Sequence, residues 1–213
     1  MSFDVGADEY DRFMGRYSSP LAPQFADFAS VDAGQQVLDV GCGSGALTAE
    51  LIRRLGPGAV SAVDPSVPLV DAVQQRHPGV SVQRAAAEEL PFEDGAFDAA
   101  LAQLVVHFMT RPVEGLGEMA RVTRKDGVVA ACVWDHAGGQ GPLSLFWRAA
   151  RELRPDVEGE SRLAGTHEGH LGQLFQEAGL HAIEESFLTV SVEHPSFEEW
   201  WQPHRHRRAQ RRA

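Results

Sequence analysis

Three glycines, Gly41, Gly43 and Gly45, stand between the apolar run Val37–Val40 and a helical pattern in VLDVGCGSGALTAEL. A backbone that gives up side chains at alternate positions either turns tightly or makes room for a ligand. Asp39 lies two residues before Gly41, and Asp64 lies 19 positions past Gly45, at the end of the next apolar run, AVSAVD. Asp64 suits a bidentate grip on the two hydroxyls of a ribose, or a plain turn before Pro65. Asp39 discriminates more. A pyrophosphate seeks positive dipole and no anion, whereas a carboxylate here favours a cationic ligand, an adenosyl sulfonium rather than a dinucleotide. The loop spacing alone does not separate the two cofactors.

The elements that must position these residues follow from hydrophobic periodicity. SSPLAPQFADF predicts a helix with Ser19 as cap, Pro20 in the first turn and Leu21, Phe25 and Phe28 on one face. QQVLDVG reads as a buried strand, and ALTAELIRRLG as a helix closed by Gly56. The alternation repeats through AVSAVD, VPLVDAVQQRH, VSVQRA, FDAALAQLVV, VEGLGEMARVTR and GVVAACVWD. Short apolar strands separated by helical stretches predict an α/β doubly wound, Rossmann-like, mostly parallel sheet with helices on both faces. In such sheets ligands sit at the carboxyl ends of the strands, where the glycine loop, Asp64, Gln103 and Trp134 fall. Beyond Trp134 the pattern loosens into HAGGQGP, a helix near Leu143–Leu153, a polar stretch, a helix HLGQLFQEAGL and a long strand HAIEESFLTVSVEH.

With 213 residues, 43% of them hydrophobic, the chain can bury one sizeable core, and it reads as one domain over residues 1–203. Residues 1–30 form an N-terminal helical cover, 35–135 the cofactor-binding core, and 136–203 late helices and a strand; 204–213 read as a disordered basic tail. No apolar run is long enough for a membrane span, and no export leader is evident, so a cytoplasmic location is expected. Cys42 and Cys132 read as free thiols, and no spacing suggests a metal. Thirty acidic against 19 basic side chains argue against a nucleic-acid partner. Five of the basic groups lie in the last ten residues, HRHRRAQRRA, so the preceding body carries 14 against 30, a net of −16.

Taken in order, VLDVGCGSG, the acid of VDPS, AAAEELPFEDGAFD and EMARVTRKDGVV resemble the class I S-adenosylmethionine-dependent methyltransferases, over residues 8–203. The similarity is to the ubiquinone/menaquinone-biosynthesis type and its small-molecule relatives, and YDRFMGRYSSPLA resembles that group's N-terminal segment. The resemblance implies that Asp39 and the glycines line the methionyl end and that Asp64 holds the ribose. It places adenine near Pro65, Ser66, Ala87 and Glu88, and sets Gln103 and Leu104 close to the methionyl amine and sulfonium. It makes Arg16 a candidate for the cofactor carboxylate. Ala86 stands where relatives often carry Asp or Asn, which removes one side-chain contact to the adenine amine.

Methyl transfer from a sulfonium is an in-line displacement, so positioning, worth ~7–11 kcal/mol in well-oriented reactions, outweighs a base worth about 10²- to 10⁴-fold. His107 in AQLVVHFM is the candidate catalytic residue, as proton acceptor or hydrogen-bond partner of the nucleophile, with a packed histidine as the plain alternative. Tyr10, Phe13, Met14, Tyr17, Phe108, Trp134 and Phe146 can form an apolar substrate pocket or belong to the core. Amino-methylating DNA enzymes of this fold carry an Asn-Pro-Pro-Tyr type motif after the fourth strand, and AQLVVHF has none.

The expected activity is therefore methyl transfer to an O, N or C nucleophile of a small molecule, with S-adenosylhomocysteine as product and the protein a monomer or homodimer. A non-catalytic or truncated cofactor-binding remnant and an NAD(P)-dependent oxidoreductase are the alternatives. Relatives end with a seventh, antiparallel strand, for which no apolar run remains here. The abrupt change after Pro203 reads as a frameshift, as a basic tail contacting an anion, or as a solvated end.

Overall fold

The computed structural model describes residues 14–157 and 159–205. Five strands, β1 (Val37–Val40), β2 (Val60–Asp64), β3 (Ser81–Arg84), β4 (Phe97–Gln103) and β5 (Thr123–Cys132), form one sheet in the order β3-β2-β1-β4-β5. Every pair is parallel, as the α/β alternation predicts. The helices are α1 (Arg16–Phe28), α2 (Ala46–Leu55), α3 (Val67–Arg76), α4 (Pro112–Val122), α5 (Ser144–Leu153), α6 (His170–Glu177) and α7 (Phe197–Arg205).

Period-2 alternation sorts the strands between two cores. Val37 of β1 and Ala99 and Leu101 of β4 join Phe25 of α1 and Leu47 and Leu51 of α2 on one face. Leu38, Val40, Ala100 and Ala102 meet Leu116 and Met119 of α4 and Leu174 and Phe175 of α6 on the other. The two helices of the first face are also tied by charge. Arg54 of α2 pairs with Asp27 of α1 at 2.7 Å and with Glu50 at 2.7 Å, and donates to the Pro23 carbonyl.

Two expectations are corrected. Helix α1 begins at Arg16, so Ser19 is an interior residue and not its cap, and Pro20 lies in the second turn. Proline there forfeits a single backbone bond, and the Ser18 hydroxyl donates to the Met14 carbonyl at 3.0 Å to support the added turn. The long strand expected over 181–194 forms no ladder, and among the described residues the sheet ends at β5. Along that segment Leu188, Val190, Val192 and His194 are half-buried between exposed neighbours. Its contacts, however, are to helices: Leu188 packs on the α1/α2 core, and Gln24 of α1 donates to the Thr189 carbonyl at 3.0 Å. Ile183, upstream, packs on the opposite core. The segment is a strap from one face of the sheet to the other.

The strap leads into α7, which the hydrophobic pattern alone does not predict. Its start is nonetheless written in Ser196-Phe-Glu-Glu199: the Glu199 N–H donates to Ser196 Oγ at 3.1 Å. Cys42 and Cys132 are free, as expected. Among the described residues no helix is long and apolar enough to cross a membrane. Residues 206–213 of the basic tail lie outside the described residues.

Candidate functional site

The glycine loop lies where β1 has neighbours on both sides, the point at which strand order reverses. Its backbone is held by the Gly41 and Cys42 N–H groups, which donate to the Val63 carbonyl at 2.8 and 2.9 Å. Gly41, Gly43 and Gly45 all have positive φ, of 71°, 55° and 94°. At Gly41 the crowding comes from the protein: a Cβ would lie 2.5 Å from Val105 Cγ2 and 2.6 Å from Cγ1. At Gly45 it would meet Val73 and His77. These two glycines serve close packing of the loop on the segment after β4 and on the C-terminal half of α3, while Gly43 carries the backbone N–H that faces the acid of β2.

That acid is Asp64, which is 6% exposed. Oδ2 accepts from the Gly43 N–H at 3.0 Å and Oδ1 from the Ser66 N–H at 2.8 Å, so one carboxylate joins the loop to the start of α3. Burial raises its pKa, with both backbone bonds opposing. Pro65 is exposed and Ser66 half-buried. Asp39 points from β1 into the first face, where it is 1% exposed and Oδ2 accepts from Thr48 Oγ1 at 2.6 Å. Burial pushes its pKa up to about 7, the Thr48 bond opposing and the neighbouring Asp64 charge adding.

At the end of β4, Gln103 donates from Nε2 to the Ser18 carbonyl of α1 at 3.1 Å, which fixes its amide and leaves Oε1 buried with no hydrogen-bond partner among the described residues. Leu104 follows with φ +62° and donates its N–H to the Cys132 carbonyl at 2.9 Å. His107 sits in the short 3₁₀ turn Val106–Phe108 and is 7% exposed. Burial, and the His136 ring 6.0 Å away, push its pKa down to about 4. Its ring is 4.0 Å from that of Phe108, and its Nδ1 has no hydrogen-bond partner among the described residues. Trp134, just past β5, meets the Tyr17 ring edge-on at 6.0 Å, and its buried Nε1 likewise lacks a partner among the described residues.

The remaining expected residues divide. Ala87 is buried in the α4/α6 core, and Glu88 Oε1 accepts from the Thr110 and Arg111 N–H groups at 2.8 and 3.0 Å, where it steadies the entry to α4. Arg16 reaches the C-terminal segment, 3.0 Å from His194 Nδ1 and 3.7 Å from Glu199. Phe146 lies on α5 against Trp147 and Trp201, rings 5.0 and 6.0 Å away. Tyr10 and Phe13 lie outside the described residues. Sequence reasoning missed His194, which lies 3.1 Å from the Tyr17 hydroxyl, and His136. No local pattern marks either one; their partners come from distant elements.

Residues 38–131 match a family described as a methyltransferase domain. An uncharacterised methyltransferase of Mycobacterium tuberculosis is 35% identical over 135 residues, covering 63% of this chain and 52% of the relative. A ubiquinone/menaquinone biosynthesis C-methyltransferase of Bdellovibrio bacteriovorus is 32% identical over 106 residues, 48% of this chain and 45% of the relative. The chain thus spans about half the length of the curated relatives it matches. Among solved structures, an S-adenosylmethionine-dependent methyltransferase of Aquifex aeolicus shares the fold with a TM-score of 0.63 at 17% identity, over 83% of this chain and 89% of that one.

Proposed function

Because this chain belongs to the class I S-adenosylmethionine-dependent methyltransferases, we propose that it methylates an O, N or C nucleophile of a small molecule and releases S-adenosylhomocysteine. The observation that carries the reading is Gln103 Oε1, a buried acceptor at the switch point without a partner among the described residues. Its amide is already oriented by Ser18, so the free carbonyl oxygen suits the ammonium of the cofactor's methionyl end. The residues fit the group at two further places. Asp64 keeps lone pairs for ribose hydroxyls beyond the two backbone bonds it accepts, and Asp39 adds a buried acid on the loop's own strand. The bound cofactor supplies a methyl group already activated by positive sulfur.

The chain's own share is alignment and exclusion of water. Gln103 and Asp64 orient, the buried turn at His107 closes off the carboxyl end of β4, and His107, uncharged at neutral pH, offers Nδ1 to the acceptor. A depressed pKa makes it a hydrogen-bond partner rather than a store for the proton. Calorimetric titration of the whole chain with S-adenosylmethionine and S-adenosylhomocysteine tests the reading, with Asp64→Ala and Gln103→Leu as variants. Both ligands should bind, and both variants should weaken them. A folded chain that binds neither, or that binds NADH instead, refutes it.

A further inference from the structure

Among the described residues three buried side-chain polar atoms lack a hydrogen-bond partner: Gln103 Oε1, His107 Nδ1 and Trp134 Nε1. All three belong to the carboxyl ends of two adjacent strands. Gln103 pairs with Cys132 in the ladder, and the Leu104 N–H continues to the Cys132 carbonyl, so the segments leaving β4 and β5 run side by side. His107 and His136 face each other with perpendicular rings 6.0 Å apart, and the His136 N–H returns to the Trp134 carbonyl at 2.9 Å. The methionyl ammonium accounts for Gln103. It does not account for the other two.

We propose that His107 and Trp134 form a recognition pair for a hydroxyl group, so that the methyl acceptor is an alcohol, phenol or enol on an apolar body. The inference rests on the methyl-transfer reading and narrows it to oxygen. An indole N–H only donates, so Trp134 requires a lone pair on its partner. A neutral imidazole nitrogen can accept the proton that a hydroxyl still has to offer. A hydroxyl satisfies both, on one oxygen or on two neighbouring ones. An alkylamine is protonated at neutral pH and then has no lone pair for Trp134, an arylamine's lone pair is delocalised into its ring and accepts poorly, and a carbon nucleophile with no heteroatom satisfies neither group. A carboxylate would bring uncompensated charge into a dry site.

The surroundings agree with an apolar body. The Tyr17 ring lies against Trp134 and the Phe108 ring against His107. The carboxylates near the pair are already directed elsewhere: Glu160 takes the Trp147 indole N–H at 3.2 Å and lies 3.9 Å from His136, while Asp135 accepts from the Gly138 N–H. Trp147 thus has its acceptor within the protein. Trp134 does not.

The test uses the whole chain labelled with ¹⁵N and saturated with S-adenosylhomocysteine, whose binding is first measured by calorimetry. Four tryptophans give four indole N–H signals, and Trp134→Phe identifies one of them. The probes are 4-butylphenol, 4-butylaniline and butylbenzene. The phenol should move the Trp134 signal downfield and bind at least about tenfold more tightly than butylbenzene, the worth of one to two buried hydrogen bonds. His107→Gln and Trp134→Phe should each erode that preference several-fold while S-adenosylhomocysteine still binds. If S-adenosylhomocysteine binds but the aniline binds as tightly as the phenol, the three probes bind alike, fail to bind, or leave the Trp134 signal unmoved, the hydroxyl assignment is wrong and the methyl-transfer reading stands. If S-adenosylhomocysteine itself does not bind, both fall.

Discussion

Asp39 and His107 are buried ionisable groups whose pKa values are pushed toward neutrality of charge, and they bend stability with pH in opposite directions. The folded-state pKa of Asp39 is raised from 3.8 to about 7, so its contribution is fully present below about 4 and is lost as pH rises through 7. That of His107 is lowered from 6.5 to about 4, so its cost appears as pH falls through that window. Asp39→Asn should therefore be more stable than the parent at pH 8, and His107→Gln more stable at pH 4.5, in thermal denaturation. A cation next to Asp39 would draw its pKa down again. S-adenosylmethionine binding at pH 6.5 should then release protons, seen as an enthalpy that tracks the ionisation heat of the buffer, and Asp39→Asn should abolish the effect. Turnover should show no inflection near pH 6.5 that disappears in His107→Gln; such an inflection would mean that His107 titrates at its ordinary value and is not dry. The types and spacing of Asp39, Asp64 and His107 were legible in the sequence because the ends of strands are legible. That Asp39 is spoken for by Thr48, and Glu88 by the backbone before α4, was not, since both depend on which way a side chain turns after folding.

The glycine loop, as an element, separates two reasons for one residue type. Gly41→Ala should destabilise by about 1–2 kcal/mol from positive φ, plus about 1–3 kcal/mol from contact with Val105. Adding Val105→Ala clears the Cγ atoms at 2.5 and 2.6 Å and should recover the second part only, as denaturant titration of the four proteins would reveal. Full recovery would mean that φ costs nothing here, and none would mean that Val105 is not the obstacle. The loop's shape was evident from its local pattern. Its neighbour, 64 positions away in sequence, was not. The strap illustrates the same boundary. Alternation in FLTVSVEH survives as alternating burial, but a ladder also needs a strand whose edge it can reach, and this segment turns to α1 instead. Helix α7, by contrast, announces itself in the Ser196 to Glu199 spacing more clearly than in its apolar pattern.

At the scale of the molecule, a five-stranded sheet is clasped by contacts between its first helix and its last segments. Arg16 and Tyr17 meet His194, and Arg16 meets Glu199. A chain ended after Glu193 should keep slow amide exchange in β1, β2 and β4 while exchange in α1 quickens, by mass spectrometry of exchanged peptides. Unchanged protection of α1 would mean that the clasp does not hold it. The order of these parts along the chain also sets an order in time. A ribosome has delivered all five strands, the glycine loop, Asp64 and His107 once Cys132 has emerged, yet α1, made before any of them, must wait for His194. The floor of the site is thus finished while its fastening is still unmade, and the nascent protein passes through an interval in which a ligand can enter before the door is hung.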